Sequence, residues 1–341
     1  MAKATRVRRL RFASRRLLGR PKKPTVVVAR RVSSTDCFQD FELIAICCTY
    51  AEQDIIAATV RNAFEQGCDQ FLLIDNNSPD ETVPRAVGEG AETVGSLEMQ
   101  VHDEAVRMAA INTVIRSRSV DTTRPIWWLL LDADEFPVGP NGSTVREHLL
   151  SIDQNTRVVG STFFNHYPTE RPAYVSGSHP IEFQPLGERE LYRYCRRGHY
   201  KHPLIRMDPG GEPIEFDHGG HLPSAGSHRW LEATVGIVTH HFQFREESDT
   251  RSRLELMSGR VDRERPVTRR MEVVDAVYAG EWSRVRLRRT RFGNRPIKLQ
   301  PQSLDQPPQE RRLRRALRSL RTYVASSEGA ESSADATTNQ P

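Results

Sequence analysis

The sequence lacks any apolar run that approaches the roughly 20 residues of a membrane-spanning helix. Its N-terminus is basic but has no apolar core segment of the kind that marks a secretory signal peptide. We therefore expect a soluble, cytoplasmic protein whose contact with a membrane, where it makes one, is peripheral at the inner face.

Cysteine is scarce, and its spacing matches neither a metal site nor a disulfide framework. Cys47 and Cys48 are adjacent in an apolar run, while Cys37, Cys68 and Cys195 are scattered along the chain. Cysteine zinc sites and disulfide scaffolds need recurring short spacings between cysteines. This pattern is instead typical of reduced, buried cysteine in a cytoplasmic protein.

Acidic residues are absent from the first 24 positions, which carry ten Lys or Arg. Because the whole chain has a formal net charge of +5, the remainder carries about −5, and the basic character belongs to this arm. The arm at 1–40 is either disordered or a cationic helix on anionic lipid, where each basic residue adds about 1 kcal/mol. We expect no nucleic-acid partner, because the charges are not interleaved with aromatic residues.

From residue 42 onward, apolar segments alternate with amphipathic ones. The predicted strands are Leu43–Cys48, Phe71–Ile74, Leu97–Val101 and Ile126–Leu131. The predicted helices are 55–64 with Gly67 after its end, a short helix capped by Ser78 or Asp80, and 104–118. Strands that alternate with helices indicate right-handed crossovers between parallel strands. The sequence therefore predicts an α/β, Rossmann-like fold with a mostly parallel sheet flanked by helices.

Periodicity is weaker in the second half of the main domain. We expect a helix capped by Ser143 and strands at Val158–Asn165 and Val235–Phe244. Short strands are expected near Ile181–Phe183, Leu204–Met207 and Ile214–Phe216. The long stretch between the two firmer strands is rich in Gly, Pro and His, which favours loops.

Helical spacing returns at 246–259 and 269–280, and Arg311–Val324 has the composition of a basic helix. The end of the chain has a disordered composition. The predicted organisation is a basic arm at 1–40, a main domain at 41–245, a helical extension at 246–300, and a basic helix with a disordered tail at 301–341.

The apolar strand Ile126–Leu131 ends at Asp132, Asp134 and Glu135. Its consecutive large apolar residues predict a strand buried on both faces. Open α/β sheets bind their ligands at the carboxyl ends of such strands. Carboxylates gathered there suit Mg²⁺ or Mn²⁺, ions that usually hold phosphates. The alternative is that these acids only cap the turn that follows.

Polar residues also end the first two predicted strands. Thr49, Tyr50 and Glu52 follow the first strand, and Asp75 ends the second. In a parallel sheet these ends lie on the same edge as the acids after the fourth strand. An acid at a strand end can bind the ribose or base of a nucleotide. The set therefore predicts a nucleotide-diphosphate site with a divalent cation.

The segments Ile44–Glu52, Leu73–Thr82 and Trp128–Phe136 resemble the family 2 glycosyltransferases of the GT-A fold. The branch whose metal motif ends in Asp-Glu-Phe is the most similar, and the resemblance covers about residues 42–245. It implies a metal-dependent enzyme that moves a sugar from a nucleotide-diphosphate sugar to an acceptor hydroxyl with inversion. It implies Mn²⁺ or Mg²⁺ as the cofactor and leaves open which glycan or lipid-linked acceptor is used.

The resemblance also implies roles for individual residues. Asp134 would bind the metal directly, and Asp132 would lie near the ribose or the metal. Asp75 would contact the nucleoside, in a pocket lined by Thr49, Tyr50 and Glu52.

A late histidine closes the site in this family, and His241 in the segment His241–Arg245 matches it. His240 replaces it if the strand register is shifted by one residue. Lys201 and Arg206 lie in another segment similar to this branch, where they would neutralise phosphate; the alternative for both is ordinary surface charge.

The catalytic base is left open between Asp217 and Glu182, which flank the histidine-rich loops. Of the acceptor-side motif that many family members carry, only Arg229-Trp230 is present, in an expected loop. His218 and His221 have the spacing of a zinc pair, but no cysteine or second pair completes a site.

Two other classes of protein compete with this interpretation. A phosphatase with Asp-x-Asp after a strand would need Thr or Val two residues past the second Asp, where this chain has Phe136. A non-catalytic module that binds sugar nucleotides or a membrane surface would keep Asp75 yet show no turnover.

Overall fold

The structure, a computed structural model, describes residues 40–168, 178–190, 200–217, 219, 222–223, 231–258, 267–280 and 300–301. Four sequence predictions lie outside these residues: the basic arm up to residue 39, the helix at Arg311–Val324 with the tail, the His218–His221 pair and Arg229-Trp230. Within the described residues, no helix is both long and apolar enough to cross a bilayer.

Twelve strands and six helices are described. The strands are β1 (Glu42–Thr49), β2 (Gln70–Asp75), β3 (Glu92–Ser96), β4 (Ile126–Leu131), β5 (Glu135–Val138), β6 (Val158–His166), β7 (Leu186–Arg189), β8 (Lys201–Met207), β9 (Phe216–Asp217), β10 (Leu222–Pro223), β11 (Ile237–His241) and β12 (Gln300–Pro301). The helices are α1 (Ile56–Glu65), α2 (Thr82–Gly88), α3 (Glu104–Ser119), α4 (Val145–Ser151), α5 (Glu247–Ser258) and α6 (Val267–Tyr278).

Ten of these strands form one sheet in the order β12-β7-β6-β8-β4-β1-β2-β3, with β11 paired to β6 and β5. The half formed by β3, β2, β1 and β4 is parallel throughout. β6, β11 and β12 run in the same direction as that half, whereas β5, β7 and β8 run against it. The predicted α/β class, with a mostly parallel sheet flanked by helices, is confirmed.

β4 is buried along its whole length because it lies between two apolar layers. Trp127 packs in the cluster that includes residues of α1 and α4, and Trp128 packs with residues of α3 on the other face. The Trp128 indole N–H donates to Ser119 Oγ at 3.1 Å, which satisfies its polar atom. A strand buried on both faces has no need of polar alternation, which is why its sequence is continuously apolar.

The third strand is earlier in the chain than the sequence predicts. Strand pairing covers Glu92–Ser96, and the predicted strand Leu97–Val101 is a connection. Leu97 N–H donates to Asp75 O at 2.7 Å, and Met99 N–H donates to Asn76 Oδ1 at 2.9 Å. These bonds direct the chain across the carboxyl end of β2, so the pairing of β3 with β2 stops at Ser96.

Two smaller predictions also need correction. The segment near Ile181–Phe183 forms a short 3₁₀ helix at Pro180–Glu182 instead of a strand, with Pro180 at its first position. α4 is capped by Thr144, one residue later than predicted, because Thr144 and Glu147 form a reciprocal capping box. Gly67, by contrast, follows α1 with a φ of 91°, as a terminating glycine should.

α5 and α6 lie within the range predicted as a helical extension, and they pack against each other and against the segment that follows β11. Tyr278 of α6 donates a hydrogen bond to Arg245 O at 2.7 Å, and its hydroxyl also bonds Thr250 Oγ1 of α5 at 2.8 Å. A small apolar cluster of Tyr167, Phe244 and α6 residues completes this contact. The extension is therefore joined to the segment that directly follows β11.

The short strand β9 is held to α3 by one side chain. Asn112 is buried, and its amide N–H donates to Phe216 O while its Oδ1 accepts from Phe216 N–H, both at 2.9 Å. The amide thus pairs with the Phe216 backbone as a neighbouring strand would.

We predict that Asn112→Ala lowers the free energy of unfolding by about 2 to 4 kcal/mol, because two buried backbone groups lose their partners. Chemical denaturation measures this change. Thr113→Ala, at the exposed next position of α3, is the control and should change stability by less than about 0.5 kcal/mol. Equal stabilities of the two variants would contradict the assignment.

Candidate active site

The carboxyl ends of three neighbouring parallel strands meet at one edge of the sheet. Thr49 at the end of β1 is in register with Asp75 at the end of β2. Asp132 follows β4 directly, and Leu131 of β4 is in register with Cys47 of β1. The structure therefore brings together the three strand ends that the sequence pointed to.

The turn that follows β4 and carries Asp132, Asp134 and Glu135, called the acidic turn below, is held by side chains of α1. Thr59 Oγ1 donates to Ala133 O, and the Asn62 amide donates to Pro137 O at 3.0 Å. Both side chains are fully buried. α1 therefore supplies hydrogen-bond partners for the backbone of the turn, and the acidic side chains of the turn are not needed for that purpose.

Asp132 is paired with two cations from distant parts of the chain. Arg107 of α3 donates to its Oδ1, and Lys201 of β8 donates to its Oδ2 at 2.8 Å. Burial alone would raise the pKa of Asp132, but Lys201 and Arg107 outweigh it and hold the pKa well below its usual value. Asp132 is therefore ionised, and both of its oxygens already accept hydrogen bonds from cations.

Glu135 is the most deeply buried acid of the turn. Lys201 donates to its Oε1, and the Asp132 N–H donates to its Oε2 at 3.3 Å. Burial and the neighbouring Asp132 charge raise the pKa of Glu135 to about 7. Burial alone would lower the pKa of Lys201, but Asp132 and Glu135 raise it. Lys201 thus stays charged and holds Asp132 and Glu135 together through hydrogen bonds to both carboxylates.

His241 and Asp134 face each other across the site. β11 places His241 opposite Glu135 of β5 and beside Asn165 of β6. His241 Nε2 lies 3.5 Å from Asp134 Oδ2. Burial alone would raise the pKa of Asp134, but His241 and then Arg253 keep it well below its usual value. Burial alone would lower the pKa of His241, and the Asp134 charge raises it instead.

The orientation of the His241 ring is set by a chain of two hydrogen bonds. The Asn165 amide nitrogen donates to Glu190 Oε2 at 2.6 Å, so its Oδ1 must face His241 Nδ1, which lies 2.7 Å away. An amide oxygen at that position accepts a hydrogen bond from Nδ1–H. The other ring nitrogen, Nε2, is thereby directed at Asp134.

His240 lies on the opposite face of β11 because successive residues of a strand alternate in direction. Its Nδ1 bonds His166 Nε2 at 2.8 Å, and its ring packs against Phe164. Burial, and then His166, lower the pKa of His240 well below its usual value. Of the two adjacent histidines, the structure brings His241 to the acidic turn and leaves His240 neutral in the interior.

A second ion-pair network borders Asp134. Glu52 accepts from Arg245 Nη2 through one oxygen and from Arg253 Nη1 through the other, both at 2.8 Å. Arg245 Nε also lies 2.6 Å from Asp54 Oδ2. Arg253 Nη1 is 3.7 Å from Asp134 Oδ2. Glu52, which the sequence assigns to the nucleoside pocket, therefore joins the main domain to α5.

The nucleoside side of the site contains an unpartnered polar atom. Thr49 is 4% exposed, and its Oγ1 has no hydrogen-bond partner among the described residues. Asp75 beside it accepts from the Ser78 hydroxyl at 2.6 Å and from the Ser78 N–H at 2.9 Å. Tyr50, which follows Thr49, is partly exposed. A buried hydroxyl without a partner next to an acid is suited to receive a polar ligand.

One predicted site residue, Arg206, is not brought to this cluster. Arg206 is in register with Trp127 at the other end of β4, roughly 17 Å along β8 from Lys201, and pairs with Asp208. Glu182 lies on the short 3₁₀ helix, and Asp217 lies on β9. Both of these carboxylates are exposed.

The described residues fit a partial set of metal ligands. No group of three His, Cys, Asp or Glu side chains converges on one ion position within the described ranges. Asp134 and His241 nevertheless place an oxygen and a nitrogen 3.5 Å apart, and two ligands about 2.1 Å from one ion lie roughly 3.0 to 3.4 Å apart. Mg²⁺ is typically held by one or two carboxylates, with substrate phosphates and water completing its shell.

Sequence reasoning missed Arg107, Asn165 and Arg253. Arg107 had a detectable signal, because it precedes Ile111 and Ile115 at four-residue spacing and so places a charge on the buried stripe of α3. Asn165 and Arg253 carry no comparable local signal, since their partners are far away in sequence.

We predict that His241→Ala weakens Mn²⁺ binding by about ten-fold or more, because the ion loses a direct ligand. His240→Ala should leave Mn²⁺ affinity within about two-fold and instead lower stability by about 2 kcal/mol, through loss of a buried hydrogen bond and ring contacts. Titration calorimetry and thermal unfolding separate the two effects. Equal changes in Mn²⁺ affinity would count against His241 as a ligand.

No protein-family model matches the chain, and no curated protein matches it. Solved structures do align with it. Glucosyl-3-phosphoglycerate synthase from Mycobacterium tuberculosis, in complex with Mg²⁺ and uridine diphosphate, is 18% identical over 36% of this chain and 43% of that chain, with a TM-score of 0.24.

TarS from S. aureus is 16% identical over 39% of this chain and 23% of that chain, with a TM-score of 0.28. Each of these two alignments thus spans less than half of this chain and less than half of the matched protein. The same mycobacterial synthase in complex with Mn²⁺, uridine diphosphate and phosphoglyceric acid aligns over 79% of this chain and 90% of that chain, at 13% identity and a TM-score of 0.30. Identities and TM-scores in this range are too low to assign a function.

Proposed function

We propose that the protein is a metal-dependent glycosyltransferase of the GT-A fold, similar to family 2, that moves a sugar from a nucleotide-diphosphate sugar to an acceptor hydroxyl. The observation that carries the proposal is the facing pair of Asp134 and His241 at the carboxyl edge of a parallel sheet. A divalent cation held there lies next to the strand ends where α/β sheets bind nucleotides.

The nucleoside of the donor fits the edge formed by β1 and β2. Thr49 Oγ1 is buried and has no partner among the residues that the structure describes. Asp75 beside it has carboxylate oxygens with lone pairs beyond those that Ser78 uses. A ribose hydroxyl or a base N–H supplies the donor or acceptor that this pocket lacks. Tyr50 follows Thr49 directly and would border the same pocket.

The diphosphate then lies toward Asp134 and His241. An Mg²⁺ or Mn²⁺ ion bound by these two residues supplies electrostatic stabilisation for the negative charge that develops on the departing diphosphate. Asp132 acts differently: since Arg107 and Lys201 hold both of its oxygens, it fixes the shape of the turn and faces the ribose or the ion as a neighbouring charge.

The transfer itself is a displacement at the anomeric carbon. The acceptor oxygen forms a bond to that carbon as the bond to the diphosphate oxygen breaks, and the hydroxyl proton passes to a carboxylate base. A single displacement of this kind inverts the anomeric carbon. Asp217 and Glu182, the carboxylates that flank the histidine-rich loops, are our candidates for the base, which has to come within hydrogen-bonding reach of the acceptor hydroxyl.

We predict that Asp134→Asn abolishes turnover and weakens binding of the nucleoside diphosphate while the fold is retained. The reason is that the amide cannot supply the negative charge that the cation needs. Mass spectrometry of products from a panel of nucleotide sugars, with Mn²⁺ present, identifies the donor for the wild type and measures loss in the variant.

Asp69→Asn is the matched control for this experiment. Asp69 lies just before β2, at the opposite edge of the sheet, where it accepts from Leu43 N–H and pairs with Arg146. Its variant should keep turnover. Normal turnover by Asp134→Asn would show that Asp134 is not the metal ligand.

The basic arm bears on where in the cell the enzyme acts. We infer that residues 1–24 bring a cytoplasmic enzyme to an anionic membrane surface, where a lipid-linked acceptor is available. Ten positive charges in this segment create a field that is screened within about 8 Å at physiological salt. Such a field acts only on a surface in near contact.

We predict that deletion of residues 1–24 abolishes cosedimentation with vesicles of phosphatidylserine and phosphatidylcholine, and leaves binding of the nucleoside diphosphate unchanged. For the full chain, vesicle binding should fall steeply as salt rises from low to physiological strength. Vesicle binding that survives the deletion, or that is insensitive to salt, would contradict a role for the arm at membranes.

A further inference from the structure

Among the residues that the structure describes, four Lys or Arg side chains pair with the acids at this edge of the sheet, and three of them make two short ion pairs each. Arg107 and Lys201 hold Asp132, and Lys201 also holds Glu135. Arg245 is 1% exposed and contacts both Glu52 and Asp54. A cation in two short ion pairs at such depth is part of the folded frame, because releasing it would leave buried charges without partners.

Arg253 differs from these three in the bonds that it makes. Its side chain is 13% exposed, and its contact with Asp134 Oδ2 is long, at 3.7 Å. Nη1 contacts Glu52 at 2.8 Å, and Nη2 donates to Gln243 O at 2.8 Å. Its Nε is buried without a partner among the described residues. Since a guanidinium has five N–H donors, Arg253 retains hydrogen-bonding capacity next to Asp134.

The structure also explains how a helix outside the main domain reaches the site. Thr250 Oγ1 accepts from Arg245 N–H at 3.0 Å and bonds the Tyr278 hydroxyl. Arg253 follows Thr250 by three residues, so both lie on the same face of α5. The segment that carries this anchor begins four residues after His241. Arg253 is therefore held near the site by the segment that directly follows β11, the strand that delivers His241.

We propose that Arg253 binds the diphosphate of the donor, so that the helical extension contributes a substrate-contacting residue to the site. The inference rests on the proposed function, and it adds a residue on an element outside the predicted main domain. A planar guanidinium matches two phosphate oxygens at once, which a lysine cannot do. Arg253 Nη1 lies 3.7 Å from Asp134 Oδ2, so a diphosphate bound beside Asp134 would be within reach of this guanidinium.

The competing interpretation is that Arg253 only joins α5 to Glu52. If that is its role, removing the side chain lowers the stability of the protein. The affinities for nucleoside monophosphates and diphosphates then change by the same factor. A diphosphate ligand predicts a selective loss, because the monophosphate lacks the distal phosphate group. The ratio of the two affinities therefore separates the interpretations.

The experiment compares Arg253→Met, Arg253→Lys and the control Arg251→Met by titration calorimetry with Mn²⁺. Arg251 lies on the same helix, is 31% exposed, and pairs with Glu247 and Asp275 away from the site. The probes are uridine, guanosine and adenosine diphosphates, each with its monophosphate. Thermal unfolding of every variant checks that the fold is retained.

We expect Arg253→Met to bind the preferred diphosphate about ten-fold or more weakly than the wild type, since a charge-assisted hydrogen bond is lost. Its affinity for the monophosphate should stay within about two-fold. Arg253→Lys should recover part of the loss, and Arg251→Met should match the wild type. Where Arg253→Met does not fold, the lysine variant carries the test through its reduced diphosphate-to-monophosphate ratio.

Two outcomes would overturn the assignment of Arg253. One is an unchanged diphosphate-to-monophosphate ratio in folded variants, and the other is a parallel loss of both affinities. Both differ from failure of the proposed function, in which the wild type itself binds none of the diphosphates in the presence of Mn²⁺.

Discussion

Charge compensation at the acidic edge of the sheet is the constraint on which the arrangement of this protein depends. Glu52, Asp54, Asp132, Asp134 and Glu135 lie together where the strands end. A carboxylate removed from water costs several kcal/mol unless it is paired. The chain supplies the cations from α3, β8, α5 and the segment after β11. The docking of these distant elements is therefore coupled to the same cluster.

The acids differ in how closely their cationic partners approach them. Asp132 and Glu135 share Lys201 at hydrogen-bonding distance. Asp134 is also ionised, but its cationic neighbours, His241 and Arg253, lie at 3.5 and 3.7 Å. A carboxylate that is ionised yet held only by longer contacts is the one that a divalent cation can approach without breaking a short ion pair. The geometry thus singles out Asp134 within the acidic motif.

The parts of the fold that the sequence predicted are those in which burial leaves a local pattern. Strands β1, β2 and β4 are continuous apolar runs because they are buried centrally in the sheet. β3 was placed too late because its residues, such as Glu92 and Thr93, belong to an exposed edge with no apolar pattern. In the site, the strand-end acids were predictable, whereas the partners Asn165 and Arg253 depend on register and docking between segments far apart in sequence.

The two adjacent histidines of β11 show how such register decides chemistry. Alternation along a strand requires His240 and His241 to face opposite sides, but no local feature of the sequence says which side holds the acids. Pairing of β11 with β5 and β6 sets His241 against Asp134 and Asn165. The same pairing places His240 among His166 and aromatic rings, where burial lowers its pKa. His240 is thereby a neutral group in the interior, whereas His241 faces the acidic turn, where the Asp134 charge raises its pKa.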